Sequence, residues 1–395
     1  MFEFTKIEKT TRNIAFIHFC VMFGYKMFSL FFPLFLVEKH FSLPQVGYSA
    51  FVLYFSMVLL APLVGFLNHK INSGVLAALG ILGYGLYCLG MMFFPNFLIF
   101  YLLQILLGLS AALFFVSART ILMGSYLENP NRAFAWFYVA PSYADAIAPL
   151  VGALIIWKFG FYGVFAVGFC VQFLVSLFCF FTLSNSIGFE TKKTSPKVSL
   201  QNYGRVLDNI RKKKITPFIL LAFVILVCNG LINTFFVLFL KNLGWSRETI
   251  LLFNALLSLA FLPVSMAVVS VIGKLKSRRN VYFGSVITAL FYVILGGLSM
   301  FLNFYSLFLL MTVQSIGGLM VGSGRSALMT TKLKEYPQES AAVDSIFSPF
   351  STAVGGLIGG LVIVLFGYPL IFIFSGAVIL GAGALMGKKV FEEKM

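Results

Sequence analysis

The sequence predicts an all-α membrane protein: twelve transmembrane helices arranged as two six-helix, pseudo-symmetric bundles. Three observations predict it. The 395 residues are 60% hydrophobic and only 11% charged, against roughly 25% charged in a soluble domain. The apolar residues fall into a dozen continuous runs, each near the roughly 20 residues a helix needs to cross about 30 Å of hydrocarbon. The runs form two sets of six, separated by one polar stretch. Backbone groups in lipid must be paired internally, so spans are helices or a closed barrel, and continuous rather than alternating runs select helices.

In order, the first span is placed at 14–37, after a largely polar 13-residue segment of mixed charge. It is too long for the apolar core of a cleavable signal and reads as a retained helix. Span 2 (44–67) closes on Gly65-Phe-Leu67, span 3 is 74–94, and span 4 (97–118) ends at Arg119. Span 5 (134–157) holds Asp145, Pro149 and Gly152, and span 6 is 161–183. Residues 184–215 form a basic connector with Lys192, Lys193, Lys197, Arg205 and Arg211-Lys212-Lys213-Lys214. It divides the chain into halves 1–183 and 216–395, and reads as a solvated cytoplasmic linker. The second set is 216–240, 249–272, 281–301, 304–326, 341–364 and 367–387.

The two sets resemble each other. Phe31-Phe-Pro-Leu-Phe-Leu36 matches Phe235-Phe-Val-Leu-Phe-Leu240 at an offset of 204. Gly65-x-Leu67 matches Gly273-x-Leu275 at 208, and Ser117-x-Arg119 matches Ser323-x-Arg325 at 206. Gly152 and Phe159-Gly160 match Gly359 and Phe366-Gly367 at 207. Four matches in order, at nearly one offset, mark a parallel repeat, the plan of transporters that bind substrate at the interface of two halves.

The net charge of +16 is an orientation signal rather than a nucleic-acid footprint. Of 29 Lys and Arg, 24 fall on the side of the termini and linker, and four (Lys39, Lys158, Lys241, Arg247) on the other. The excess places both termini in the cytoplasm of a cell that carries this chain in its plasma or inner membrane. Anionic lipid headgroups are expected neighbours, and nucleic acid is not. The five cysteines lie in spans without a CxxC pair and read as packing residues. No phosphate-binding loop, metal cluster or nucleophilic triad is visible, so neither an enzyme nor a cofactor is expected.

Over essentially its whole length the chain resembles the major facilitator superfamily. The loop after span 2 carries that family's Gly-x-Leu-x-Asp-Arg-x-Gly-Arg pattern as Gly65-Phe-Leu67-Asn-His69-Lys70-Ile-Asn72-Ser73. The second copy reads Gly273-Lys-Leu275-Lys-Ser277-Arg278-Arg-Asn280. Asn replaces the second Gly in both, and Asn tolerates a left-handed turn. The acid is lost, becoming His69 and Ser277. In the resemblance this loop belongs to a cytoplasmic gate, here Gly65, His69, Lys70, Gly273, Arg278 and Asp344. Asp344 is implied to stand near His69 and Lys70, as a substitute acid. Span 5 resembles the exporters' Gly-x-x-x-Gly-Pro-x-x-Gly-Gly, with Pro149 and Gly152 in place as hinge and packing residues and Ala substituted elsewhere. The antiporters' span-4 Arg is replaced by Gln104, and its span-10 equivalent is Gln314.

Charges in mid-membrane carry the strongest signal, because each costs about 2.5–3.5 kcal/mol on insertion scales. Lys26 and Asp145 each lie about 12 residues into spans 1 and 5, which the resemblance makes neighbours. The expectation is a pair that substrate or a proton breaks; a static packing pair is the alternative. Asn229 and Asn233 share a face of span 7 one turn apart and, with Gln104 and Gln314, are candidates to bond substrate. His18 reads as a packed residue, and Arg119 and Arg325 as surface residues reaching headgroups. The functional expectation is a monomeric secondary transporter working by alternating access: proton-coupled export of a small organic or amphiphilic compound. A facilitator or symporter for a polar metabolite, and a non-transporting sensor or scaffold, are the alternatives.

Overall fold

Each break in the helical pattern has a local cause. The computed structural model describes residues 7–29, 31–41, 43–93, 96–184 and 196–391. The first span is α1 (Lys9–Ser29) followed, after a turn at Phe31, by α2 (Phe32–Glu38). Then come α3 (Leu43–Lys70), α4 (Ser73–Phe93) and α5 (Phe97–Gly124). The helix α6 (Pro130–Leu183) holds spans 5 and 6, and α12 (Pro337–Phe391) holds spans 11 and 12. Both turn at a glycine: Gly160 has φ 67° and Gly367 has φ 70°, a region that side chains with a Cβ rarely enter. These glycines stand at the repeat offset of 207. Between lie α8 (Thr216–Asn242), α9 (Arg247–Lys274), α10 (Ser277–Gly297) and α11 (Phe304–Lys332).

The caps repeat as well. Asn96 opens α5 by accepting from the Ile99 amide, and Asn303 opens α11 in a reciprocal box with Ser306. Each satisfies amides that a helix start leaves unpaired. The loop asparagines differ from expectation. Neither Asn72 nor Asn280 is left-handed; among the described residues the positive-φ non-glycines are His40 and Lys214. Asn72 works through its side chain, accepting from the Gly74 amide at 2.7 Å and donating to the Ser184 carbonyl at 2.8 Å. Asn280 lies buried inside α10 and donates to the Ile272 carbonyl at 3.0 Å.

The connector holds a further helix, α7 (Pro196–Lys212); residues 185–195 are outside the described residues. Ser199, Asn202, Val206 and Ile210, spaced three and four apart, are its buried side.

Helix α1 packs on α6, α4 on α5 and α6, and α3 on α5; α8 and α10 pack on α12, and α10 on α11. Contacts between the two sets run from α3 and α5 to α12 and from α6 to α9 and α11. A second, smaller apolar cluster joins Ala135 and Val139 of α6 to Phe261, Val269 and Leu319 of the other set. The outer surface is studded with Leu154, Trp157, Phe181 and Leu385, all well exposed. Such a coat suits lipid and not water. Eight helical segments among the described residues are long and apolar enough to cross a membrane, α6 counting once. The chain is a multi-pass membrane protein.

Candidate functional site

Lys26 and Asp145 meet. Lys26 Nζ lies 2.8 Å from Asp145 Oδ1, and about a third of each side chain is exposed. The approach of α1 to α6 positions them. A Cβ on Gly152 would collide with the Met27 carbonyl, so only glycine lets the two backbones come this close. Lys26 precedes Met27, and Asp145 stands two turns before Gly152 on α6. Pro149 lies inside the same helix without breaking it.

The pair stands in the wall between two cavities. One, of about 520 Å3, is lined by Asp145, Ser142, Ser258, Ser315 and Ser348. The other, of about 300 Å3, is lined by Lys26, His18, Tyr25, Tyr84 and Arg119. Tyr138 and Ser348 border both, so the cavities flank one crevice between the two helix sets.

The neutral candidates pair with tyrosines that the sequence analysis did not single out. Gln104 donates to Tyr87 OH at 3.2 Å and is buried. In the other set Asn229 Oδ1 accepts from Tyr292 OH and, at 3.4 Å, from Gln314. Tyr87 and Tyr292 are 205 positions apart, so the repeat offset was the signal that would have found them. The side chain of Asn233 is outside the described residues.

On the side of the linker, which we call the linker face, the two sets are bonded together. Asp344 differs from expectation: it does not meet His69. It is fully buried, 2.7 Å from Arg325 Nε and 3.2 Å from Arg119 Nε, and accepts from Ser326 at 2.6 Å. Tyr138 OH stands in the same group, 2.8 Å from Ser326 Oγ. Arg119 and Arg325 are therefore not surface residues; both are nearly inaccessible. A buried carboxylate between them compensates charges that snorkelling would otherwise have placed in headgroups.

His69 instead meets Glu339, Nε2 to Oε1 at 2.7 Å, and Asn202 of α7 donates to the same oxygen at 3.0 Å. Burial alone would raise the Glu339 carboxyl; the bonds from His69 and Asn202 outweigh it and hold it below the ordinary value. Tyr203 donates to the Pro62 carbonyl at 2.9 Å. Burial, with Glu339 nearby, pushes its phenol up, so it stays a donor. Gly65 leaves room for this contact, because a Cβ there would run into the Tyr203 hydroxyl. Lys70 turns back over the Phe66 ring, 4.7 Å from its centroid. The second copy of the loop makes the matching contact with neutral groups: Asn129 and Asn131 donate to the carbonyls of Gly273 and Leu275. Arg278 sits 5.3 Å above the Phe218 ring.

Among the described residues no group of three His, Cys, Asp or Glu is placed to hold a metal. The arrangement offers a partly exposed ion pair, amide and phenol donors, and two cavities between the helix sets.

The family model described as Major Facilitator Superfamily matches residues 14–343. No curated protein sequence is a match to this chain. Among solved structures, the human organic anion transporter MFSD10 (TETRAN) is similar with a TM-score of 0.75 at 16% identity, over 95% of this chain and 99% of that one. The transporter FucP in the outward conformation follows at 0.72 and 14%, over 96% and 98%. The proton:xylose symporter XylE, bound to 6-bromo-6-deoxy-D-glucose, gives 0.71 and 13%, over 96% of each chain. At these identities the likeness establishes the fold.

Proposed function

The chain belongs to the major facilitator superfamily, and from that premise we propose that it moves a small organic solute by alternating access, with protons as the coupling ion and Lys26–Asp145 as the coupling site. It is a membrane transporter and not an enzyme. The observation that carries the coupling is the pair itself: 2.8 Å apart, flanked by two cavities, and a third exposed. A fully buried pair would be locked by the cost of separating its charges. A pair that water reaches can exchange partners.

Halves 1–183 and 216–395, joined by 184–215, rock about this site. The excess of Lys and Arg on the linker face supports a cytoplasmic position for that face, in the cell membrane. Bonds between the halves gather toward that face: His69–Glu339, Arg119–Asp344, Tyr138–Ser326 and Asn129–Gly273. A crevice sealed there is the outward-facing state.

Substrate charge sets the direction. A cation that displaces Lys26 from Asp145 competes with protons for the carboxylate; this is antiport, and it gives the export that Pro149 and Gly152 in span 5 suggest. A second reading is supported by the charge inventory. Among the described residues Lys26, Arg119 and Arg325 are matched around the crevice by two acids, Asp145 and Asp344. An anion that takes Lys26 leaves Asp145 to a proton; this is symport.

The test is a proteoliposome assay with an imposed pH gradient, a pH-sensitive dye inside, and a panel of organic compounds. Proton movement on adding a transported compound is expected. Asp145→Asn and Lys26→Met are each expected to cut gradient-driven flux at least about tenfold, the equivalent of roughly 1.4 kcal/mol. Full flux and unchanged pH dependence in both variants would remove the coupling site.

A further inference from the structure

We propose that the linker-side end of the 300 Å3 cavity is a carboxylate-binding subsite, built by Arg119 and His18, for a small amphiphilic organic monoanion that enters with one proton. This rests on the crevice being the substrate path, and it names the substrate class that the crevice takes.

The first support is charge. Asp344 is saturated by Arg325 at 2.7 Å and Ser326 at 2.6 Å. Arg119 shares what is left. Its Nε is 3.2 Å from Asp344 Oδ2 but makes no aligned hydrogen bond, and its Nη groups reach Phe115 O and Tyr138 OH only at 3.4 Å. One good bond remains, to Ser345 Oγ at 3.0 Å. A guanidinium has five N–H donors and binds carboxylates in a two-pronged way. Two buried guanidiniums share one carboxylate, so one unit of positive charge has no acid of its own and is faced by the rings of Phe115, Phe137 and Tyr138, and Arg119 borders the cavity.

The second support is His18, on a different helix. It lines the same cavity and is 2% exposed. Its Nδ1 lies 2.8 Å from the Phe137 carbonyl. A carbonyl can only accept, so Nδ1 carries the hydrogen, and in the neutral ring Nε2 is a bare acceptor. Nε2 has no hydrogen-bond partner in the protein. An anion gives an acceptor nothing, unless a proton comes too. Either the ring gains the proton and donates N–H to the carboxylate, or the acid keeps it and donates O–H to Nε2. Both routes load one anion and one proton taken from water, and the balance is the same.

The surroundings favour this state. The other titratable or charged groups facing this end are Tyr25 and Lys26 of α1, Tyr54 of α3, Tyr84 of α4 and Tyr138 of α6. None is an acid. Asp145 is engaged by Lys26, and Asp344 lies behind Arg119. Apart from Ser345 and Ser348 the remaining wall is apolar, with Met22, Leu53, Met57, Leu107, Phe115 and Phe137 among its residues. A volume of about 300 Å3 is at the small end for ligand pockets. It suits a short hydrocarbon or single-ring body with one carboxylate.

The experiment uses the full chain in detergent and a matched panel of two- to ten-carbon monocarboxylates (acetate to decanoate, and benzoate), with the corresponding primary amides and amines. Binding is read by thermal shift and by equilibrium dialysis between pH 8 and pH 6. At least one carboxylate is expected to bind ten or more times more tightly than its amide and its amine. Its affinity is expected to rise toward the limit of about tenfold per pH unit that one linked proton sets. Arg119→Gln should cost at least tenfold. His18→Asn keeps a donor toward Phe137 O and should leave binding nearly independent of pH, which a merely structural His18 would not do. Binding led by amines or amides, binding by no carboxylate, or carboxylate binding unchanged in Arg119→Gln overturns the subsite. The two readings separate: pH-gradient-driven flux of an amine keeps the transport reading and removes this one. Carboxylate binding without gradient-driven flux does the reverse.

Discussion

Spans 5 and 11 are counterparts in the repeat, and each carries one ion-paired acid, at a different depth. The position 207 residues after Asp145 is Thr352, and the position 207 before Asp344 is Phe137. The two acids are thus displaced by eight residues along equivalent helices, about 12 Å at 1.5 Å per residue. Their environments differ as much. Asp344 is fully buried and holds two arginines and a serine, one of those arginines from the other half. Asp145 is about one-third exposed and holds Lys26 alone, within its own half. The same chemistry is locked by burial and three partners in one place and left open to water with one partner in the other, which is why we propose the second as the exchange site. The lysine has no counterpart either. Its equivalent is Gly230, where a Cβ would stand 2.6 Å from the Ser351 carbonyl. One half uses that level for a charge and the other for close helix contact.

The largest effect should therefore come from Asp344. Asp344→Ala strands two buried guanidiniums and should destabilise the protein by about 3–5 kcal/mol. Asp145→Ala breaks a solvent-accessible pair and should cost no more than about 1 kcal/mol, while removing proton coupling. Denaturation in detergent, paired with flux in liposomes, reads both. If Asp145→Ala unfolds the protein as severely as Asp344→Ala, the distinction between lock and exchange site is wrong.

The glycines come next. Gly152→Ala forces α6 away from Met27, and Gly230→Ala forces α8 away from Ser351. Each should cost about 1–3 kcal/mol as overpacking. Their functional effects should differ. Gly152→Ala also moves Lys26 from Asp145 and should lower gradient-driven flux, whereas Gly230→Ala should act on stability with flux per folded molecule largely kept. Equal flux losses from the two would show that the ion pair does not depend on the α1–α6 approach.

The architecture was legible because lipid imposes it. Span length, continuous apolar runs and the glycines at 160 and 367 follow from one-dimensional rules, and the structure keeps them. Lys26 and Asp145 were legible because charge in a span is expensive enough to be visible alone. What failed was pairing across the linker face. Asp344 was expected at His69, yet it stands between Arg119 and Arg325, and Glu339 takes the histidine. Glu339 is five residues earlier on the same helix, and the sequence does not reveal how far α12 slides against α3. Arg119 and Arg325 were misjudged for a related reason: each alone looks like a residue reaching for headgroups, and only the fold brings a carboxylate between them. Tyr138 has no charge to advertise it, and its position in both cavities and in the lock is purely a matter of geometry.

The smallest effect separates the two loop copies on the linker face. The first is held by His69, Asn202 and the Glu339 carboxylate; the second by amides of Asn129 and Asn131 on backbone carbonyls. Only the first contains an acid. The Glu339 carboxyl is held below its ordinary value of 4.5, so the stability it contributes is present above that value and is lost as pH falls through the lowered one. Acidification below about pH 4.5 should loosen the α3–α12 end of the linker face and leave the Asn129–Gly273 end closed. The contribution is about 1 kcal/mol, that of one such bond to a charged group after its burial is offset. Hydrogen exchange of amides around 66–72 and 337–342, compared with those around 129–132 and 273–278 from pH 7 to pH 3.5 after correction for intrinsic rates, reads the difference. Glu339→Gln should flatten the first profile and leave the second as it was. Parallel opening of both ends would mean that the linker face yields as one unit and that the Glu339 carboxylate of α12 has no separate role.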